Sequence, residues 1–154
     1  YAAEGDEACH TYFRPSARQF VAERPAGSAY VYLNYGVHWL LNFLVKGGEG
    51  DGFVLIRALA PSEGLEQMRL RRRRHPETEL CSGPGKLTQA FGIDLSVHGT
   101  ELASDFGVSL YRRSALEKMT TLACRRVGIS KEKDRKWRFA LAGSPCISVR
   151  PGSE

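Results

Sequence analysis

A chain of 154 residues with 42% apolar and 25% charged residues has the composition of one globular domain with a buried core, which excludes a disordered or fibrous chain. Lys and Arg number 22 against 17 acidic residues, and the net charge of +5 leans toward a polyanionic partner without requiring one. No apolar run is long enough to span a bilayer, no signal peptide is visible, and Cys9, Cys81, Cys124 and Cys146 form no CxxC pair; the expectation is a cytoplasmic protein with reduced thiols, no disulfide framework and no zinc site.

Asp6 to Phe13 reads as a short helix with an acidic first turn, and Ser16 to Glu23 as a second helical piece between Pro15 and Pro25. Tyr30 to Lys46, YVYLNYGVHWLLNFLVK, reads as two apolar strands joined at Asn34-Tyr35-Gly36, where Asn and Gly supply the positive-φ conformations of a tight hairpin. Tyr30 and Tyr32 share one face of the first strand. In the second, Val37, Trp39, Leu41, Phe43 and Val45 share one face and His38, Leu40, Asn42 and Leu44 the other, which predicts a central strand covered on both sides. KGGEGDG, 46–52, is a loop, and Phe53 to Leu59 a third strand interrupted by Arg57. Pro61 to His75 reads as a helix anchored by Leu65, Met68 and Leu70, and Gly83 to Ile93 as a short helix opened by a glycine-proline pair. Val108 to Tyr111 is a candidate strand, Leu116 to Gly128 a strand-containing connection, and Arg138 to Val149 two apolar pieces broken at 143–145.

Several clusters have chemical potential. Arg71 to Arg74 reads as a solvated helix end, where cations favour the helix dipole. SGPGKL, 82–87, lacks the upstream glycine and the Ser or Thr of a phosphate loop; it suits a turn and cap as well as a single phosphate held by glycine amides and Lys86. Glu4, Asp6 and Glu7 beside His10 suit a surface helix start, and also acid/base work. Tyr35, at a hairpin tip, must dock on the domain, bind a partner or sit in water. Trp39 and Tyr30 read as core. The early aromatics around one polar Asn also suit a protein that reads single bases, which needs stackable walls and a wedge for the duplex.

The segments GDEACH (5–10), AYVYLNYGVHWLLN (29–42), GDGFVLIRAL (50–59), ELCSGPGKLTQAFGI (79–93) and RFALAGSPCISV (138–149) occur in order and together resemble the alkyladenine (3-methyladenine) DNA glycosylase family over nearly the whole chain. YVYxxYG, with Asn42 six residues after its Gly, and ELCSGPxKL carry most of the specificity. The resemblance implies an α+β fold: a single domain spanning 1–154, with a curved, mainly antiparallel sheet, a protruding hairpin and flanking helices. It implies that Tyr1, His10 and Tyr32 enclose a flipped base, that Asn42 rejects the exocyclic amine of guanine, and that Tyr35 fills the vacated stack. Arg57 and the backbone carbonyl of Leu141 match the groups that hold the catalytic water, and Lys86 lies in a segment that approaches the DNA backbone. The family's general-base Glu precedes the match to Tyr1 by two residues, so the chain is expected to continue upstream. FRPSARQFVAERPAG, within the 11–27 segment, departs from the family's pattern.

The activity implied is monofunctional. The enzyme flips an alkylated or deaminated purine out of duplex DNA and hydrolyses the N-glycosidic bond, as the first step of base excision repair. Alkylation at a ring nitrogen makes the purine a better leaving group, and stacking a cationic base on tyrosine adds roughly 0.5–2 kcal/mol. No metal or cofactor is implied. The partner is duplex DNA holding damaged purines, the state a monomer, and the location cytoplasmic, at the nucleoid if the protein is bacterial. Two rivals remain at this level: a non-catalytic damaged-DNA-binding module, and a basic RNA- or nucleotide-binding protein in which Tyr32 and Tyr35 stack on unpaired bases.

Overall fold

The second strand of the hairpin has two apolar faces, and such a strand is stable only where both are covered. The computed structural model, which describes residues 1–73, 75–102, 109–111 and 119–149, places it at the centre of a three-stranded antiparallel sheet. The strands are β1 (Ala29–Asn34), β2 (His38–Val45) and β3 (Gly52–Leu55), in the order β1-β2-β3. Tyr30 stands opposite Asn42 and Asn42 opposite Leu55, so the register sets Tyr30, Asn42 and Leu55 on one face. On that face Tyr30, Leu44 and Phe53 pack against Cys9, in the turn before α1 (His10–Phe13), and against Ala17, Phe20 and Val21 of α2 (Pro15–Glu23). The opposite face, with Val31, Leu41 and Phe43, is closed by Val97 of a short 3₁₀ turn and by Ile93 and Leu102.

Beyond the sheet, α3 (Leu65–Arg71), α4 (Glu77–Leu80) and α5 (Pro84–Phe91) share a small core of Met68, Leu80, Cys81, Leu87 and Ala90. Pro84 at the first position and Gly92 in the left-handed region just after Phe91 delimit α5. The Thr88 hydroxyl of α5 donates to the Trp39 carbonyl of β2 at 2.7 Å. A second sheet pairs β4 (Thr121–Cys124) with β5 (Arg138–Leu141). The fold is α+β with antiparallel sheets, as the resemblance implied. The four cysteines are free thiols. Among the described residues no helix is long and apolar enough to cross a membrane, and no three potential metal ligands gather.

Five local expectations are corrected. The first helix does not begin at Asp6. That residue is buried, its carboxylate is taken up by Arg126 and by the Ala8 amide, and helix starts only at His10. The third strand stops at Leu55, because after the Ile56 bond to Leu41 the chain turns off to give the Leu59 amide to Cys81. The helix expected over 61–75 covers only Leu65–Arg71, bounded by positive φ at Gly64 and Arg73, and Leu70 is solvent-facing rather than an anchor. The arginine run is not simply a solvated end, for Arg72 is buried. Of the candidate strand 108–111, residues 109–111 are not in a strand and Val108 lies outside the described residues, as does Arg74.

Tyr1 to Ala3 adds to the free side of β3. Tyr1 gives its amino group to the Phe53 carbonyl and accepts the Phe53 amide, and Ala2 bridges to Gly52. The approach is so close that a Cβ on Gly52 would stand 2.2 Å from the Tyr1 carbonyl oxygen. Gly52→Ala should therefore push Tyr1 off the sheet and destabilise the protein by about 1–3 kcal/mol, as overpacking does; urea denaturation checks this, and an unchanged midpoint would mean that the Tyr1 segment is not held there.

Candidate active site

The aromatic face of the sheet ends in a cavity of about 510 Å³. Its wall takes Tyr1 from the edge segment, His10 from α1, Tyr32 from β1, Asn42 from β2, Arg57 from the chain beyond β3 and Lys86 from α5. These are six of the eight residues singled out above. The seventh, Tyr35, stands at the cavity's rim with 87% of its surface exposed, so it does not dock on the described part of the domain. The Val37 amide donates to the Asn34 carbonyl at 3.1 Å, and Tyr35 and Gly36 both have positive φ, the geometry of a primed turn. A non-glycine residue at φ 50 stores strain, and here the strain directs a large ring outward.

Leu141 does not line this cavity. It lies on β5 in an adjoining cavity of about 690 Å³, which also includes Tyr1 and Arg57, and its carbonyl accepts the Ser144 amide at 3.4 Å.

Burial sets the protonation of the walls. It holds the His10 imidazole well below its ordinary value, at about 4, with the nearby Arg14 cation lowering it further. His10 is therefore neutral at pH 7. Its Nδ1 lies 3.1 Å from the Tyr30 hydroxyl, and its ring rests on Tyr32 with centroids 4.1 Å apart. Burial also pushes the Tyr32 phenol up to about 12, and raises that of Tyr1 against the guanidiniums of Arg57 and Arg126. Arg57 is held below the ordinary guanidinium value by burial, with the Tyr1 side chain as a compensating hydrogen-bond partner. Asn42 is buried and donates its amide to the Tyr30 carbonyl at 3.0 Å, which fixes the plane of its head group. The cavity thus has neutral aromatic walls, one oriented amide and cations at Arg57 and Lys86, a setting for a flat heterocycle attached to an anionic chain.

The acidic cluster near His10 disperses. Glu4 is exposed, Asp6 faces Arg126, and Glu7, although at the cavity wall, lies 3.5 Å from Lys131. Three contributors escaped the sequence reading. Tyr30 is core as expected, yet it also reaches the cavity and partners His10. Arg126 stacks over the Tyr1 ring at 4.8 Å while binding Asp6 through two hydrogen bonds. Arg72 lines the cavity from the end of α3. Only the unusual density of arginines near 71–74 signalled the last, and nothing local signalled Arg126.

Comparison with known proteins agrees with this geometry. The profile of the family described as "Methylpurine-DNA glycosylase (MPG)" matches residues 1–145. A protein of Nitrobacter winogradskyi named "Putative 3-methyladenine DNA glycosylase" is 41% identical over 143 residues, covering 93% of this chain and 67% of its own. Proteins of the same name from Rhodopseudomonas palustris and Chlorobaculum tepidum are 43% and 40% identical, covering 94% and 99% of this chain and 70% and 73% of theirs. These matches place the chain among enzymes that act on DNA. The chain belongs to the methylpurine-DNA glycosylase family and is a DNA glycosylase, a hydrolase of N-glycosidic bonds.

A neutral His10 makes stability pH-dependent. Its folded pKa of about 4 lies below the ordinary 6.5, so the unfolded chain binds the proton more readily. Stability is full above pH 6.5 and should fall as pH drops toward 4. Asp6, held below the ordinary carboxylate value because the Arg126 and Ala8 hydrogen bonds outweigh its burial, loses its contribution only at still lower pH. Urea midpoints across pH 4–7 check this, and His10→Phe should flatten that interval; a wild-type curve already flat there would contradict a neutral His10.

Proposed function

We propose that the protein is a monofunctional, monomeric glycosylase that flips alkylated or deaminated purines out of duplex DNA and hydrolyses their N-glycosidic bonds, initiating base excision repair. The observation that carries this reading is the joint presence, at one cavity, of Tyr1, His10, Tyr32 and Asn42 beside a solvent-exposed Tyr35. Tyr1, Tyr32 and the neutral His10 stack and enclose the extruded base. Stacking contributes about 0.5–2 kcal/mol more for a cationic alkylpurine than for a neutral one. Asn42, pinned through its amide by Tyr30, rejects the exocyclic amine of guanine. Tyr35 occupies the gap left in the duplex; unpairing costs a few kcal/mol and least for damaged bases, which adds selectivity.

Hydrolysis requires a water aimed at the sugar carbon. Arg57 and the Leu141 carbonyl hold it, and the general base is a glutamate two residues before Tyr1. Support comes from the edge ladder. Tyr1 pairs with Phe53, so the same ladder continued by two residues would bring that side chain opposite Leu55, on the Tyr1 face and toward Arg57. The two lysines at the cavity, Lys86 and Lys131, are engaged by Ser82 and Glu7, which favours simple hydrolysis over an amine nucleophile and predicts no strand cleavage. Lys86 contacts the DNA backbone. Acting on chromosomal DNA, the enzyme works at the nucleoid of a bacterial cell.

Two measurements test the reading. A chain that includes the residues before Tyr1 should release free hypoxanthine or 3-methyladenine from duplex DNA and leave an intact abasic strand; no release by the folded protein would sink the proposal. Tyr35→Asn removes the ring but suits the positive φ, so stability should hold or rise by up to about 1 kcal/mol. Excision should fall at least about fivefold, the equivalent of the lower bound for one base–aromatic stack. Wild-type excision by this variant would remove Tyr35 from the mechanism.

A further inference from the structure

The arginine run and the glycine-proline-glycine turn meet at one wall of the cavity. Arg72, just past the end of α3, is 9% exposed, yet among the described residues no carboxylate pairs with it. Its side chain gives a 2.6 Å hydrogen bond from Nη1 to the Gln89 Oε1, and its Nε is buried with no partner among the described residues. A buried cation with neutral company only is costly, and a native protein retains such an arrangement where something else supplies the anion.

Its neighbours are suited to that anion. Gln89 is itself fixed, giving its amide to the Arg71 carbonyl at 3.0 Å, so its oxygen holds the Arg72 guanidinium in one direction. Lys86 lies three residues before Gln89 on α5, on the same helix face and at the same cavity. The first turn of α5 starts with Gly83 and Pro84 and has no side-chain cap, which leaves backbone amides at a positive dipole end. Gly85 lies tight against His38 at the base of the hairpin: a Cβ there would meet the imidazole at 2.9 Å. The pocket of donors is therefore rigidly placed between the hairpin and α3.

We propose that Arg72, oriented by Gln89 and acting with Lys86 and the first amides of α5, is a binding site for one DNA phosphodiester, that of a nucleotide neighbouring the extruded one. The inference rests on the glycosylase reading and extends it, since it adds a backbone contact from a residue to which that reading gives no role. The ligand chemistry is a singly charged phosphodiester oxygen pair, which a guanidinium takes bidentately and an ammonium as a point charge. Anchoring the backbone beside the cavity would hold the strand while the base rotates out of the stack.

The experiment is equilibrium binding of a duplex containing a stable abasic analogue, measured over a range of salt concentration, for the wild type and for Arg72→Met. Neutralising one phosphate contributes about 0.9 to the slope of log K against log salt. Arg72→Met should lower the slope by about that amount and weaken binding roughly tenfold at 0.1 M salt. If Arg72→Met does not fold, the double variant Arg72→Met with Gln89→Leu removes donor and acceptor together, a change that can be nearly neutral for stability, and is read in the same way. Arg72→Lys should keep the slope. Wild-type affinity and slope in the charge-neutral variant would overturn the proposal and leave Arg72 as a link between α3 and α5. Failure of the wild type itself to bind duplex DNA would overturn the glycosylase reading and this site with it.

Discussion

The buried ion pair between Asp6 and Arg126 is the constraint on which the site depends. The two residues are 120 positions apart, are almost completely enclosed, and meet through two hydrogen bonds of 2.6 and 3.0 Å. Arg126 also gives a hydrogen bond to the Glu132 carbonyl and lies between the rings of Tyr1 and Trp137. It therefore joins the first residues of the chain to the segment between β4 and β5, and it backs the Tyr1 ring at the point where that ring becomes a cavity wall. Desolvating two charges is expensive, and such a pair is near neutral when intact, but removing one partner costs about 3–5 kcal/mol because the other is left buried and uncompensated. The pair matters less for net stability than for fixing where Tyr1 stands.

With Tyr1 fixed, the rest of the site follows from burial. The same enclosure that keeps His10 neutral keeps the tyrosine phenols protonated, so the walls present no formal charge to the base. Positive charge is instead found at Arg57, Arg72 and Lys86 around the cavity. This division suits a nucleotide, whose base is neutral or weakly cationic and whose backbone is anionic. In the proposed mechanism the protein contributes positioning and stacking, and the damaged base contributes its own quality as a leaving group.

Local periodicity made much of this legible in the sequence. The alternation on β2 specified which residues share the Asn42 face, and the register of Tyr30 opposite Asn42 then follows from a short turn at Asn34-Tyr35-Gly36. The glycine-proline pair marked the start of α5, whereas its end falls at Phe91, before the left-handed Gly92, and not at Ile93. The misses share a physical cause, since each is decided by a distant partner. Asp6 resembles a helix-start acid until Arg126 takes its carboxylate. The third strand and α3 are shorter than their apolar patterns because the chain leaves the sheet after Ile56 to give the Leu59 amide to Cys81, and because Gly64 and Arg73 adopt positive φ. Arg72 resembles any solvated arginine until α5 covers it. Leu141, grouped by resemblance with Arg57, is not among these misses: it lines the adjoining cavity together with Arg57 and Tyr1.

The central claim is that the base leaves the helix and enters the space walled by Tyr1, His10 and Tyr32 while Tyr35 takes its place. The crystal structure of the protein bound to duplex DNA holding a non-hydrolysable damaged purine nucleotide tests this most directly. The account predicts the purine stacked within the aromatic cavity, Asn42 at its edge and the Tyr35 ring between the neighbouring base pairs. A purine still paired in the duplex, with Tyr35 in solvent, would contradict it.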